Sequence, residues 1–233
     1  MYDDSKRPPC SCARIDATLI AGPLPAHQGE FNVRWVAGIF IAIAIALPGG
    51  AQAAPPEKKL LDYYPLTPGT KWTYDVDPGN GRKIRLTNQI ARIETIDGKS
   101  LARLETVING RVAMTQHLLS TSEGVLRYRL GEADVSPPLR ILKYPFKEGE
   151  TWQAEPMIGH EQSKMSFKSG RHEELTLTAV KYQAISVECE INMDGARLKN
   201  TSWYAPGVGL VRDTRELGNK TITMELVTFE AGK

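Results

Sequence analysis

Ile185-Ser186-Val187-Glu188-Cys189-Glu190-Ile191 alternates strictly between apolar and polar side chains. Successive side chains of an extended strand point to opposite faces, so the stretch reads as a strand with one buried and one solvated face. The same period of two runs through Ile84 and Leu86, through Ala102, Leu104, Thr106 and Ile108, and through Leu126, Tyr128 and Leu130. It returns in Leu175, Leu177 and Ala179, and in Ile222, Met224 and Leu226. Asp97-Gly98, Asn109-Gly110 and Asp194-Gly195 lie between such runs and suit tight hairpins, whose central residues need positive φ. Asp75 to Gly81 reads as a longer turn. About ten strands are expected, with no helix beyond a short turn over 58–61. Strands with one apolar face do not make the continuous apolar runs of a buried parallel sheet. The expected fold class is all-β, mainly antiparallel, with a curved or half-barrel-like sheet that brings its apolar faces together.

The chain also repeats itself. Tyr64-Pro65-Leu66-Thr67-Pro68-Gly69-Thr70-Lys71-Trp72 aligns without a gap on Tyr144-Pro145-Phe146-Lys147-Glu148-Gly149-Glu150-Thr151-Trp152, at an offset of 80. A second match, at an offset of 85, sets Gly110 on Gly195 and Gly124-Val125 on Gly209-Leu210. Two duplicated halves are expected, about 60–138 and 139–233, with Pro137-Pro138 as the seam. Each half opens with a proline that excludes helix, a glycine that allows a turn and a tryptophan that starts the next strand. Trp72 and Trp152 should therefore be equivalent core plugs, one per half.

Val36 to Leu47 is a run of twelve residues without a polar side chain, preceded by Arg34 and followed by an Ala51-Gln52-Ala53 exit. That is the layout of a secretory signal. Its helix would span roughly 18 Å, short of the roughly 30 Å hydrocarbon core of a bilayer. Cleavage after Ala53 is expected, leaving residues 54–233 as one β-rich domain in the periplasm or outside the cell. Residues 1–32 carry Asp3, Asp4, Asp16, Glu30, Cys10 and Cys12, unlike a signal peptide, and translation is expected to start at Val33. No stable membrane span should remain after cleavage. Over the full chain the net charge is +2, with 24% charged and 41% hydrophobic residues. A basic nucleic-acid binder, a wholly disordered chain and a coiled-coil rod are disfavoured. Cys189 alone follows the signal, which leaves no disulfide framework and no cysteine zinc site.

Catalytic motifs are scarce. The chain has no Gly-x-Ser-x-Gly elbow, no Ser-x-x-Lys, no Walker loop and no dinucleotide fingerprint. The nearest approach to a site is His160-Glu161 with His172-Glu173-Glu174, which could meet across a hairpin with its tip near Met165 to Gly170 and hold a divalent metal. Lys164, Lys168 and Arg171 would oppose a cation there, and a solvated hairpin is the preferred reading. Asp75, Asp77 and Asn80 lack the closing glutamate of a calcium loop. His117 reads as a structural histidine. Cys189, on an apolar face, should be inert with a raised pKa. Arg127, Arg129, Arg140 and Lys143 read as a soluble strand surface interrupted by Glu132 and Asp134. No cofactor is indicated, and enzymatic activity is left open with the balance against it.

The opening Tyr63 to Tyr74 and the closing Trp203-Tyr204-Ala205-Pro206-Gly207-Val208-Gly209-Leu210-Val211 resemble the two ends of a loose family of uncharacterised exported bacterial proteins. Those proteins show a Tyr-x-Pro-Leu-x-x-Gly-x-x-Trp-x-Tyr opening and a Trp-Tyr-Ala-x-Gly-Val-Gly-x-Val closing pattern. The resemblance implies no activity, and its only wider analogy is with curved-sheet periplasmic lipoprotein carriers. Three functions follow as expectations. The first is a binding or carrier module for a hydrophobic small molecule, a lipid or an envelope component, with a groove lined by Ile185, Val187, Ile191, Leu175 and Leu177. Trp72, Trp152, Trp203 and Tyr204 are its candidate ligand contacts. The second is a structural or interaction protein of the cell envelope with a filled core, meeting an envelope protein through strand edges or the loop from Tyr204 to Gly209. The third is a metal-assisted hydrolase using His160 and His172.

Overall fold

A computed structural model describes residues 62–193, 196–218 and 220–233. The signal-like segment with its cysteines, the expected turn over 58–61 and the Asp194-Gly195 hairpin turn lie outside the described residues. Fourteen antiparallel strands form one curved sheet. The first six are β1 (Lys71–Asp77), β2 (Ile84–Ile96), β3 (Lys99–Ile108), β4 (Arg111–Thr121), β5 (Gly124–Leu130) and β6 (Ala133–Lys143). There follow β7 (Thr151–Ala154), β8 (Met157–Ile158), β9 (Glu161–Gln162), β10 (Lys164–Leu177) and β11 (Val180–Met193). The last are β12 (Ala196–Ala205), β13 (Gly209–Leu217) and β14 (Lys220–Glu230). Their spatial order is β7-β10-β11-β12-β13-β14-β1-β2-β3-β4-β5-β6-β8-β9.

That order is one six-strand meander occurring twice. In the first, β1 to β6 pair in sequence; in the second, β7, β10, β11, β12, β13 and β14 do the same, with β8 and β9 inserted after its first strand. The two join where β14 pairs with β1. The turns that open them match bond for bond. Gly69 donates to Ile90 O and Gly149 to Ser169 O, both at 2.8 Å, and Ile90 and Ser169 donate back to Thr70 O and Glu150 O, both at 2.9 Å. Thr70 N to Thr67 O at 3.1 Å and Glu150 N to Lys147 O at 3.2 Å complete the set.

Ile185 to Ile191 lies within β11, as its alternation requires, and the turns at Asp97-Gly98 and Asn109-Gly110 have positive φ at all four residues. Three expectations need correction. Among the described residues there are fourteen strands rather than about ten. Pro137 and Pro138 lie inside β6, so the change from one meander to the next falls after Lys143. Prolines are accommodated there because β6 bulges: its pairing with β5 jumps from Leu139 to Asp134 while β5 advances only from Arg127 to Arg129, so the β5 ladder calls for no N–H donor at either position. Met165 to Gly170 is not a hairpin tip but part of β10, where Met165 and Phe167 pair with Ile191 and Cys189. The tip in this region is Gly159-His160, between β8 and β9.

The inner face of the curve carries the core. Trp72, Tyr74, Ile90, Leu104, Leu118, Val125, Leu139, Ile185 and Leu226 are each at most 2% exposed. On the β7 side the sheet is tied back to β6 by a side chain, since the Trp152 indole N–H donates to Arg140 O at 3.0 Å.

Candidate functional site

One end of the inner face is sealed by aromatic rings. Tyr64 stacks on Trp72 with centroids 5.8 Å apart, and the edge of Tyr204 meets Tyr64 at 5.9 Å. Phe229 and Trp72 lie 6.1 Å apart. The polar tips are satisfied by backbone: the Trp72 N–H donates to Val208 O, and the Tyr74 hydroxyl to Leu210 O at 2.8 Å. The close approach of this loop to Trp72 accounts for Gly209. A Cβ on Gly209 would sit 3.2 Å from Trp72 Nε1 and 3.4 Å from Pro65, at a φ of +98°. The loop thus closes over the opening turn, and Gly207 N reaches Asp62 O at 2.7 Å. Trp72 and Tyr204, read as possible ligand contacts, are 1% and 7% exposed inside this plug. Burial raises the Tyr64 phenol to about 12 and pushes those of Tyr74 and Tyr204 well above their ordinary value, so all three are neutral at physiological pH.

The other two candidate tryptophans are half-buried. Trp152 lies parallel to Phe167, with centroids 5.1 Å apart, beside a shallow depression of about 350 Å³ edged by Gln153, Lys168, Glu188 and Glu190. Trp203 donates its N–H to Glu173, and the Arg212 guanidinium stands 5.8 Å above its ring while binding Glu225. His160 is exposed in the β8–β9 turn, and His172 stands edge-on to Phe146 at 5.2 Å. Among the described residues no group of three or more His, Cys, Asp or Glu side chains is placed to hold a metal ion. Asp77 and Asn80 instead cap their own turn, accepting from Gly79 N and Arg82 N, and Asp75 pairs with Arg85 at 2.9 Å. His117 is buried with Nε2 2.7 Å from Glu94, whose carboxyl is held below its ordinary value first by that bond and then by Arg92 and Arg103.

A polar cluster lies on the inner face that the alternation pattern did not reveal. Asp213 is 6% exposed and accepts from Ser202 Oγ at 2.7 Å, Asn200 Nδ2 at 3.1 Å and Arg215 Nε at 2.9 Å. Cys189 pairs with Asn200 across β11 and β12, and burial pushes its thiol up to about 12. Arg127, assigned from sequence to a soluble surface, is the notable correction. Its cross-strand neighbours are Leu118 and Leu139, 0% and 2% exposed, which places it on the inner face. Its Nε is buried without a hydrogen-bond acceptor. The other members of that stretch are surface ion pairs: Arg129 with Asp134, Arg140 with Glu123 and Lys143 with Glu150. Register shifts on both sides of Leu126–Arg127 explain the error, because each bulge flips the faces that alternation predicts.

Of the groove expected along Ile185, Val187, Ile191, Leu175 and Leu177, four residues are buried in the core and Ile191 is half-buried. The incompletely covered part of the inner face lies elsewhere. Register sets Met224 beside Val76 and Val76 beside Ile84, then Leu86 beside Ile108 and Met114 beside Thr106. Ile84 is 45% exposed and Met114 37%, and the other apolar members are half-buried. This apolar strip crosses β14, β1, β2, β3 and β4 and adjoins the polar cluster directly, because Met224 pairs with Asp213.

No protein-family model and no curated protein matches the chain. Among solved structures it is similar to a candidate lipoprotein from Parabacteroides distasonis, at 13% identity and a TM-score of 0.50, covering 74% of this chain and 100% of that one. It is also similar to a candidate exported protein with a YmcC-like fold from Bacteroides fragilis, at 13% identity and a TM-score of 0.46, covering 73% and 100%. At such identity the first likeness is one of fold, the curved antiparallel sheet. No helix among the described residues is long and apolar enough to cross a membrane.

Proposed function

We propose that this is an exported, non-catalytic protein of the bacterial envelope, periplasmic or extracellular, that binds the apolar part of a ligand on the inner face of its sheet. The observation that carries the reading is the half-exposed strip from Met224 to Met114, beside the buried core of the same face. Apolar surface left open beside a packed core is the usual mark of a binding face. The signal-like segment and the two end motifs supply the export part of the reading. The candidate lipoprotein that shares the fold agrees with an envelope location.

Native mass spectrometry of residues 54–233, purified gently from an envelope fraction, tests it. A retained lipid-sized mass that disappears on denaturation is the expected result. A clean apo mass would overturn the carrier reading and favour a structural partner-binding protein. One feature favours that second reading: β7 pairs only with Lys168 to Met165, so β10 beyond Gly170 has no strand beside it on that side among the described residues.

A further inference from the structure

Arg127 stands out among the groups on the inner face. Its Nε is buried without an acceptor, and among the described residues no carboxylate lies within 4.0 Å of its guanidinium, although four other arginines and lysines from Arg103 to Lys143 have such partners. The buried carboxylate on the same face, Asp213, is already engaged by Arg215, Asn200 and Ser202. Arg127 lies within electrostatic reach of Tyr64, Tyr204, Cys189 and Arg215. Those phenols and that thiol are neutral at physiological pH, because burial raises all of them. Asp213 is therefore held by Arg215, whose side chain is 56% exposed, and Arg127 is left as one positive charge without a carboxylate in a partly desolvated place. An unpaired buried charge is costly, and the arrangement is completed by an anion. Arg127 itself is half-buried rather than sealed, so an anion can approach it.

Resting on the binding function proposed above, we propose that Arg127 holds the head of a long-chain carboxylate whose tail lies along Met224, Val76, Ile84, Leu86 and Met114. A guanidinium presents a planar fork that suits a carboxylate. Arg127 lies near one end of the strip, since its cross-strand neighbour Leu118 is on β4, the strand that carries Met114, and the Asp213 cluster borders the other end, where Asp213 pairs with Met224. Five strands at about 4.8 Å spacing give the strip a width of about 19 Å, enough for a medium or long acyl chain. A single excess charge matches a carboxylate better than a phosphate monoester, which carries nearly two charges at neutral pH.

The test is calorimetric titration of residues 54–233 with decanoate, 1-decanol and decyl phosphate, on the natural protein and on Arg127→Met and Arg127→Lys. Decanoate should bind at least tenfold more tightly than 1-decanol, R127M should erase that difference, and R127K should restore part of it. Circular dichroism checks folding, and if R127M does not fold, the acid-to-alcohol ratio of the natural protein and of R127K decides. Equal binding of acid and alcohol would overturn the role of Arg127 while leaving the binding function standing. Preference for decyl phosphate would overturn the carboxylate assignment. Failure of all three probes to bind would overturn both.

Discussion

Replacing Trp72 and Trp152 separately by phenylalanine tests whether the two matched openings carry equal loads. Trp72 is 1% exposed and donates its indole N–H to Val208 O in the aromatic plug. Trp72→Phe leaves that carbonyl, on half-buried Val208, without the donor of a ring that is itself fully buried, a loss of about 1–3 kcal/mol. The missing ring edge leaves a void of about 40 Å³, worth roughly 1 kcal/mol at about 24 cal/mol per Å³. The expected loss is about 2–4 kcal/mol. Trp152 makes the corresponding kind of bond to Arg140 O but is half-buried, so water can replace the indole donor. Trp152→Phe should cost about 1 kcal/mol or less. Urea unfolding followed by far-ultraviolet circular dichroism reads both without depending on tryptophan fluorescence. With a slope of about 2 kcal/mol per molar urea, W72F should lower the midpoint by about 1–2 M and W152F by about 0.5 M or less. Equal losses, or a larger loss for W152F, would refute the assignment of the stabilising plug to the Trp72 end.

A Cβ on Gly124 would sit 1.9 Å from Leu142 O at a φ of +137°, whereas one on Gly209 would come no closer than 3.2 Å to a side chain, so G124A should lower the melting temperature much more than G209A. Cys189, raised to about 12 chiefly by burial, should react with a thiol reagent at pH 8 only when the protein unfolds; reaction of the native protein at the rate of a free thiol would contradict its place in the core. The same shift makes the Cys189 contribution to stability constant below about pH 9 and lowers stability from there towards pH 12, a decline that Cys189→Ala should reduce. Glu94 is held below its ordinary 4.5, so its contribution is fully present above that pH and is lost as pH falls through the lowered value. Glu94→Gln should therefore flatten the acid limb of stability, and identical limbs would show that the His117 bond has no thermodynamic weight.

Where local chemistry and long-range packing agree, the fold could be read directly. Ile185 to Ile191 alternates because β12 and β10 cover both its edges while only its inner face meets the core, and Asp97-Gly98 turns where it does because both residues accept positive φ. Thr178-Ala179 makes the corresponding turn with φ of 46° and 69°, yet neither residue advertises it, and the alternation through Leu175 and Leu177 carries Ala179 into the strand. The candidate site was harder still. Arg127 lies between two bulges, and an extra residue on either side reverses inner and outer faces without leaving a mark in composition. The location of open apolar surface was also hidden, because whether Ile84 or Ile185 ends up covered depends on which strands the curve brings opposite it.

The pairing of β14 with β1 at the centre of the sheet has a kinetic meaning. The two strands that join the meanders are the most distant in sequence, with Lys71 beside Glu230, so the middle of the molecule is the part whose closure costs most chain entropy. Gly232 N already bonds Thr70 Oγ1 at 3.1 Å, so the two ends of the domain lie close together. A circular permutant that links these ends and opens the chain between Lys143 and Thr151 would read its principal strands in the order in which they stand in space. It keeps nearly every contact yet turns the slowest pairing into a hairpin, and it should fold faster than the natural chain at similar stability.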